Sequence, residues 1–178
     1  MAGWAEFAGG SAEVLRVADG TTDDPRGHEW RVLEGGAASI AAAGERLLAA
    51  SPAGIALLAT VARDGGARIH PFMPRVIDGA LVAFVITDSP KLRDLLDGRL
   101  CAIHSGLAEE DEEFWVRGRG SIVDEPRRVE RALEAMDWAK PELEVLVEFD
   151  LVAAGWTRWL DFGTPRHRPL HHRWRAAS

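Results

Sequence analysis

The sequence predicts an α+β protein, a mostly antiparallel β-barrel with peripheral helices, and three stretches predict it. Residues 55–86 hold strand pairs joined by turn signals at Asp64-Gly65 and Asp78-Gly79, dipeptides that supply the positive-φ positions of tight hairpins. Ser89-Pro90-Lys91 then opens a short helix. Further on, Leu143, Val145, Val147, Phe149 and Leu151 alternate with Glu144, Leu146, Glu148 and Asp150, the period-2 pattern of a strand with one face in the core. Antiparallel strands covered by a few helices enclose one core.

Each element has its own warrant. Near the N-terminus Trp4, Phe7, Val14 and Leu15 fit one helical face, followed by a turn-rich stretch at 19–27. Ile40, Leu47 and Leu48 give residues 37–50 a helical period. Ser51-Pro52 ends that helix, because the residue before proline avoids helical geometry. Both helices are expected on the outside of the barrel. The strand at 55–61 is almost continuously apolar, as when both faces are covered. The second strand runs 67–73 and the next 81–86. Ser89 is a good N-cap, Pro90 suits the first helical position, Leu92, Leu95 and Leu96 share one side, and Gly98 closes the helix. A strand at 99–104 follows, then an acidic stretch at 109–113 read as a solvated loop. Residues 115–123 form another strand, with Gly118 and Gly120 permitting close backbone approach or a bulge. Pro126 starts a helix with Val129, Leu133 and Met136 facing inward. The 178 residues divide as one domain: a helical N-terminal extension (1–52), the barrel core (53–160) and a basic tail (161–178).

Composition excludes several functions. At 47% hydrophobic the chain sustains one core. A net charge of −7 argues against general nucleic-acid binding, which neutralises phosphates. Basic residues gather only in the tail, where Arg166, Arg168, Arg173 and Arg175 alternate with His167, His171 and His172. A solvated end is the expectation there, with a cofactor phosphate or a partner subunit as the alternative. Cys101 stands alone in an apolar run, which reads as a buried, inert thiol and allows no intramolecular disulfide or cysteine metal cluster. No secretory signal is evident, and the longest apolar run, 53–62, is far short of the roughly 18 residues of a spanning helix. A cytoplasmic protein that does not enter the membrane is expected. The chain has no Tyr, Asn or Gln, so catalytic tyrosines and amide oxyanion holes are excluded; Lys91 and Lys140 are its only lysines. Dinucleotide, Walker, nucleophile-elbow and His-Glu-x-x-His motifs are absent.

The order Ala59-Thr60-Val61, Asp64-Gly65, Arg68-Ile69-His70-Pro71, then Ser89-Pro90-Lys91, Leu92 and Arg99-Leu100-Cys101-Ala102-Ile103-His104 resembles the pyridoxamine 5'-phosphate oxidase-like family of FMN-binding split barrels, over roughly residues 55–150. The resemblance implies a split β-barrel, a flavin cofactor, a small-molecule substrate and a homodimer with two sites at its interface. It also implies hydride transfer to or from flavin N5. A deazaflavin-dependent reductase on the same barrel is the alternative, its longer charged coenzyme reaching the basic tail. A non-catalytic flavin- or haem-binding barrel is the other.

Site residues follow by position. Taken locally, Ser89 and Lys91 fit an ordinary capped helix with an exposed lysine as well as they fit an anion site. The resemblance assigns them to the flavin phosphate, with Arg68 as the phosphate-binding arginine. Ile69, His70 and Pro71 continue the strand that runs beside the flavin ring in the family, and Val85 is placed with them on the following strand. Trp115 and Arg117 match the strand that carries a glutamine to the ring. Trp115 occupies the glutamine position, and an indole cannot reproduce both amide roles, so vitamin B6 oxidation is not the leading expectation. Trp156, Arg158 and Trp159 do not align securely with the family's substrate-phosphate motif. No catalytic acid or base stands out, and no metal site.

Overall fold

The computed structural model describes residues 30–51, 53–107 and 111–177. The elements, in chain order, are α1 (Trp30–Ala49), β1 (Ala56–Val61), β2 (Ala67–Phe72), β3 (Arg75–Ile77), β4 (Ala80–Ile86), α2 (Pro90–Leu96), β5 (Cys101–Leu107), β6 (Glu112–Ile122), α3 (Pro126–Ala135), β7 (Glu144–Leu160) and β8 (Arg168–Arg175). The expected helical face at Trp4, Phe7, Val14 and Leu15 lies outside the described residues.

All ladders are antiparallel and form one curled sheet in the order β2-β1-β5-β6-β7-β4-β3, with β8 also paired to β7. The α+β split-barrel expectation holds. The long β7 acts as the spine: β6 runs along one edge, while β4 and then β8 share the other. The expected bulge falls between Arg117 and Gly118, where the β6–β7 register shifts and a side chain at Gly118 would strike the Asp150 carbonyl. At the β3–β4 turn Asp78 (φ 52°) and Gly79 (φ 77°) take the left-handed geometry expected of Asp-Gly. No described helix is long and apolar enough to cross a membrane.

Several expectations are corrected. The helix at 37–50 is the second part of α1, which begins at Trp30 and is divided at Ala37. It lies on the concave face of the sheet, not on the outside: Trp30, Leu33, Ile40 and Leu47 are buried with Phe114, Phe149 and Leu151. Gly44 makes the approach possible, since a Cβ there would stand 2.5 Å from Phe114 and 2.8 Å from Trp30. A short curled sheet leaves its concave face open, and α1 supplies the apolar surface that fills it. The tail is exposed over residues 161–171, as expected of a solvated end, but it is not loose. β8 pairs with β7 along its length and buries Trp174, while Trp156 stacks on His172 at 4.7 Å. In α3 the buried side chain is Ala132, joined by Met136 at the C-cap; Val129 only flanks this smaller cluster. Phe149 is fully buried within the one chain, so no partner is needed to cover it.

Glu112 and Glu113 belong to β6, not to a solvated loop. Inward alternation places Glu112 beside Phe114 and Val116, where it is 8% exposed. It accepts from Arg46 on α1, from Trp156 Nε1 at 3.2 Å and from Arg158 Nε at 3.1 Å on β7. Burial raises its pKa, but the Arg46 and Trp156 hydrogen bonds and the charges of Arg46 and Arg158 outweigh that and hold it below the ordinary carboxylate value. A carboxyl with a depressed folded-state pKa stabilises above its unfolded-state value, and the contribution is lost as pH falls through the folded one. Glu112→Gln should therefore lower stability by about 1–3 kcal/mol at neutral pH, and urea titrations should show the gap to the parent closing as the pH becomes acid. A gap independent of pH would contradict this account.

Candidate functional site

The β1–β2 register sets the site. Arg68 lies opposite Thr60, and His70 opposite Leu58, so Arg68 and His70 rise on the concave side of the edge strand β2. α2 crosses this corner. It is capped as the sequence indicates, with Ser89 Oγ accepting from Leu92 N at 3.3 Å and donating to the Ile86 carbonyl at 2.7 Å. Lys91 and Asp94, three positions apart, share the helix face that meets β2.

Four side chains connect there. Asp94, only 6% exposed, accepts from Arg68 Nη1 at 3.1 and 3.2 Å and from Thr60 Oγ1 at 2.8 Å. Thr60 Oγ1 is also 3.3 Å from His70 Nε2. A hydroxyl has one proton, and the ionised carboxylate can only accept it. Thr60 therefore donates to Asp94, His70 Nε2–H donates to Thr60, and His70 Nδ1 keeps a free lone pair. Lys91 Nζ donates to the Pro71 carbonyl at 3.1 Å. Burial and then the Lys91 charge lower the His70 pKa; Asp94 opposes them, and Arg68 adds the smallest lowering. Burial likewise lowers that of Lys91, partly offset by Glu144. Arg68, His70 and Lys91 thus meet in a niche at the β2–α2 corner, Arg68 paired with Asp94 and Lys91 resting on the Pro71 carbonyl with Glu144 as its acidic partner.

The remaining sequence-derived residues lie elsewhere. Ile69 and Pro71 point to the opposite, convex face of β2, where Ile69 is 70% exposed. Trp115 and Arg117 share that convex face, in register with His104 and Ala102 of β5. The Trp115 indole lies over Gly155 of β7, filling the space where a Cβ would be. One sheet thickness therefore separates Arg68, His70 and Lys91 from Trp115 and Arg117. Val85 is 1% exposed and its side chain belongs to the core. Ser89 already spends its hydroxyl proton on Ile86. Trp156 and Arg158 serve Glu112. Cys101 is buried, its thiol raised to about 11 chiefly by burial. No cluster of metal-ligating side chains occurs among the described residues.

Thr60 and Asp94 are the residues that sequence reasoning missed. The hairpin register from Asp64-Gly65 places Thr60 opposite Arg68, and the three-residue spacing of Lys91 and Asp94 gives them one helix face; together these were the available signals.

The architecture has solved counterparts. One is a NimC/NimA family protein from Clostridium acetobutylicum (TM-score 0.55, 18% identity, covering 76% of this chain and 93% of that one). Another, also from C. acetobutylicum, is a protein related to general stress protein 26 of B. subtilis, of the pyridoxinephosphate oxidase family (TM-score 0.56, 12% identity, 75% and 92%). A third is a heme binding protein from Mycobacterium smegmatis (TM-score 0.50, 16% identity, 70% and 55%). At such identities the likeness establishes the fold: this chain is a split-barrel protein. No family model and no curated protein matches its sequence.

The proton accounting makes a prediction. In an NMR titration His70 should titrate below the ordinary imidazole value as the Nε2–H tautomer, and Lys91→Ala should move it upward. A His70 pKa indifferent to Lys91 would place the two groups out of electrostatic contact.

Proposed function

We propose that the protein binds FMN and acts as a flavin-dependent oxidoreductase on a small-molecule substrate. The observation that carries this reading is that Arg68, His70 and Lys91 meet at the β2–α2 corner, where Asp94 holds Arg68, Lys91 rests on the Pro71 carbonyl and its charge acts on His70. These residues fit the phosphate end of the cofactor. Asp94 and Thr60 hold Arg68 and His70 in fixed orientations, so little side-chain entropy remains to be lost on binding. Lys91, partly desolvated, contributes a charge whose pull on an anion is stronger than in open water. When bound, the flavin would supply hydride transfer at N5, with the protein contributing position and electrostatics.

The ring end draws on Trp115 and Arg117, which lie on the other face of the sheet. A single flavin that uses both groups of residues therefore spans two copies of the chain, which supports a homodimer. The convex face is suited to such packing, since Leu57 and Ile69 are exposed there on adjacent strands. A deazaflavin coenzyme is the second reading. β8 sets Arg173 in register with Gly155 and Arg175 with Ala153, extending the rows of Trp115 and Arg117 into a basic strip for a longer charged tail.

The absorption spectrum of the purified protein separates flavin, deazaflavin and haem. For FMN, loss of one charge-assisted contact of roughly 1.5–3 kcal/mol should make Lys91→Ala bind about ten- to a hundredfold more weakly. A folded variant with unchanged affinity would reject the niche as the phosphate site. Sedimentation of the parent should give a dimer, and Ile69→Asp a monomer; a monomeric parent with full FMN affinity would remove the two-copy arrangement.

A further inference from the structure

A cavity of about 200 Å³ lies between α3, the β3–β4 turn and the start of α1. Three guanidiniums line it, those of Arg31, Arg128 and Arg131, over an apolar floor that includes Val82, Ala132 and Leu146. The elements themselves bring these groups together. Arg128 and Arg131 stand three positions apart and so share one face of α3, which Ala132 anchors by packing with Val82 and Leu146. Arg31 lies across the β3–β4 turn: its backbone N–H donates to the Gly79 carbonyl at 3.1 Å and its guanidinium to the Asp78 carbonyl. A Cβ at Gly79 would collide with Arg31 Cγ and Nε. The glycine that makes the turn therefore also clears the place of the arginine.

The charges here do not balance. Arg131 pairs with Asp78 at 3.0 Å and Arg128 with Glu148 at 2.9 Å. Among the described residues the Arg31 guanidinium meets only a carbonyl. Among the described residues, three guanidiniums against two paired carboxylates leave one positive charge uncompensated, and an arginine does not relieve this by losing its proton. Each guanidinium also keeps N–H donors beyond the one its protein partner takes.

We propose that this cavity binds a small organic anion, a phosphate monoester or a carboxylate, with its carbon skeleton on the Val82–Leu146 floor. Forked guanidinium donors match the oxygens of both anions, and the apolar floor favours an organic ester over the free ion. The volume is below the roughly 300–1,000 Å³ of sites for drug-sized ligands, so the ligand is a small one. The proposal is independent of the flavin reading, because the cavity shares no residue with the β2–α2 niche.

Calorimetric titration of the full chain with phenyl phosphate, benzoate and inorganic phosphate tests it. At least one of the two organic anions should bind saturably and more tightly than inorganic phosphate, and the stronger of the two defines the ligand class. Arg31→Ala should weaken that binding about tenfold or more, and Arg131→Met, at an exposed side chain, should do so without disturbing the fold. The binding that Arg31→Ala removes should persist in Lys91→Ala protein, whatever phosphate binding that variant loses at the β2–α2 niche. Absence of saturable binding would overturn the proposal. So would binding that survives both cavity variants, or binding lost with Lys91 in place of Arg31, which would assign the anion to the β2–α2 niche.

Discussion

Glu112 takes hydrogen bonds from Arg46 on α1 and from Trp156 and Arg158 on β7, so a single carboxylate ties the helix to two strands of the sheet. Its burial is tolerable only because several donors converge on it; with one partner removed, the cost of a buried and under-paired charge would fall on the fold. The same contact fixes α1 against the concave face, where Trp30 meets Phe114 edge-on at 5.9 Å above the bare Gly44. Once the concave face is filled from within the chain, the flavin proposal rests on two surfaces. One is the rim at the edge strand β2, and the other is the convex face.

The rim owes its character to proton and charge accounting. Asp94 would be a costly buried anion alone, and it is satisfied by Arg68 and Thr60. Those bonds in turn leave His70 Nδ1 and the outward side of Lys91 and Arg68 available to a ligand. The convex face differs in kind: the bare Gly155 opposite Trp115 leaves room for the indole over the neighbouring strand. Arg68 and Lys91 on one side and the Trp115 indole on the other thus lie across one sheet, and in the proposed flavin complex a second copy of the chain would bridge them.

Much of this was legible in the sequence where the signal is local. Asp-Gly turns, the Ser89-Pro90 cap and the alternation through 143–151 are each set by neighbouring residues, and their elements form as expected. What was not legible depends on distant partners. The polarity of Glu112 reads as a loop until Arg46, Trp156 and Arg158 are known to meet it. The charges of the tail hide the Trp174 alternation that β7 completes as β8. The amphipathic period of α1 is the same whether it covers the outside of a barrel or fills its hollow. For the site, the family resemblance pointed to Arg68, Ser89 and Lys91 where local residue type left them undecided, but only three-dimensional register separates Arg68 from its neighbour Ile69, sends Val85 into the core and brings in Thr60 and Asp94.

The central claim is that the niche of Arg68, His70 and Lys91 reads a phosphate. Comparing the affinities of FMN and riboflavin, identical except for that phosphate, tests it most directly. The account predicts that FMN binds at least about tenfold more tightly, as expected for even one charge-assisted contact, with the difference shrinking as added salt screens the partly exposed charges. Equal affinities for the two flavins at low salt would contradict it.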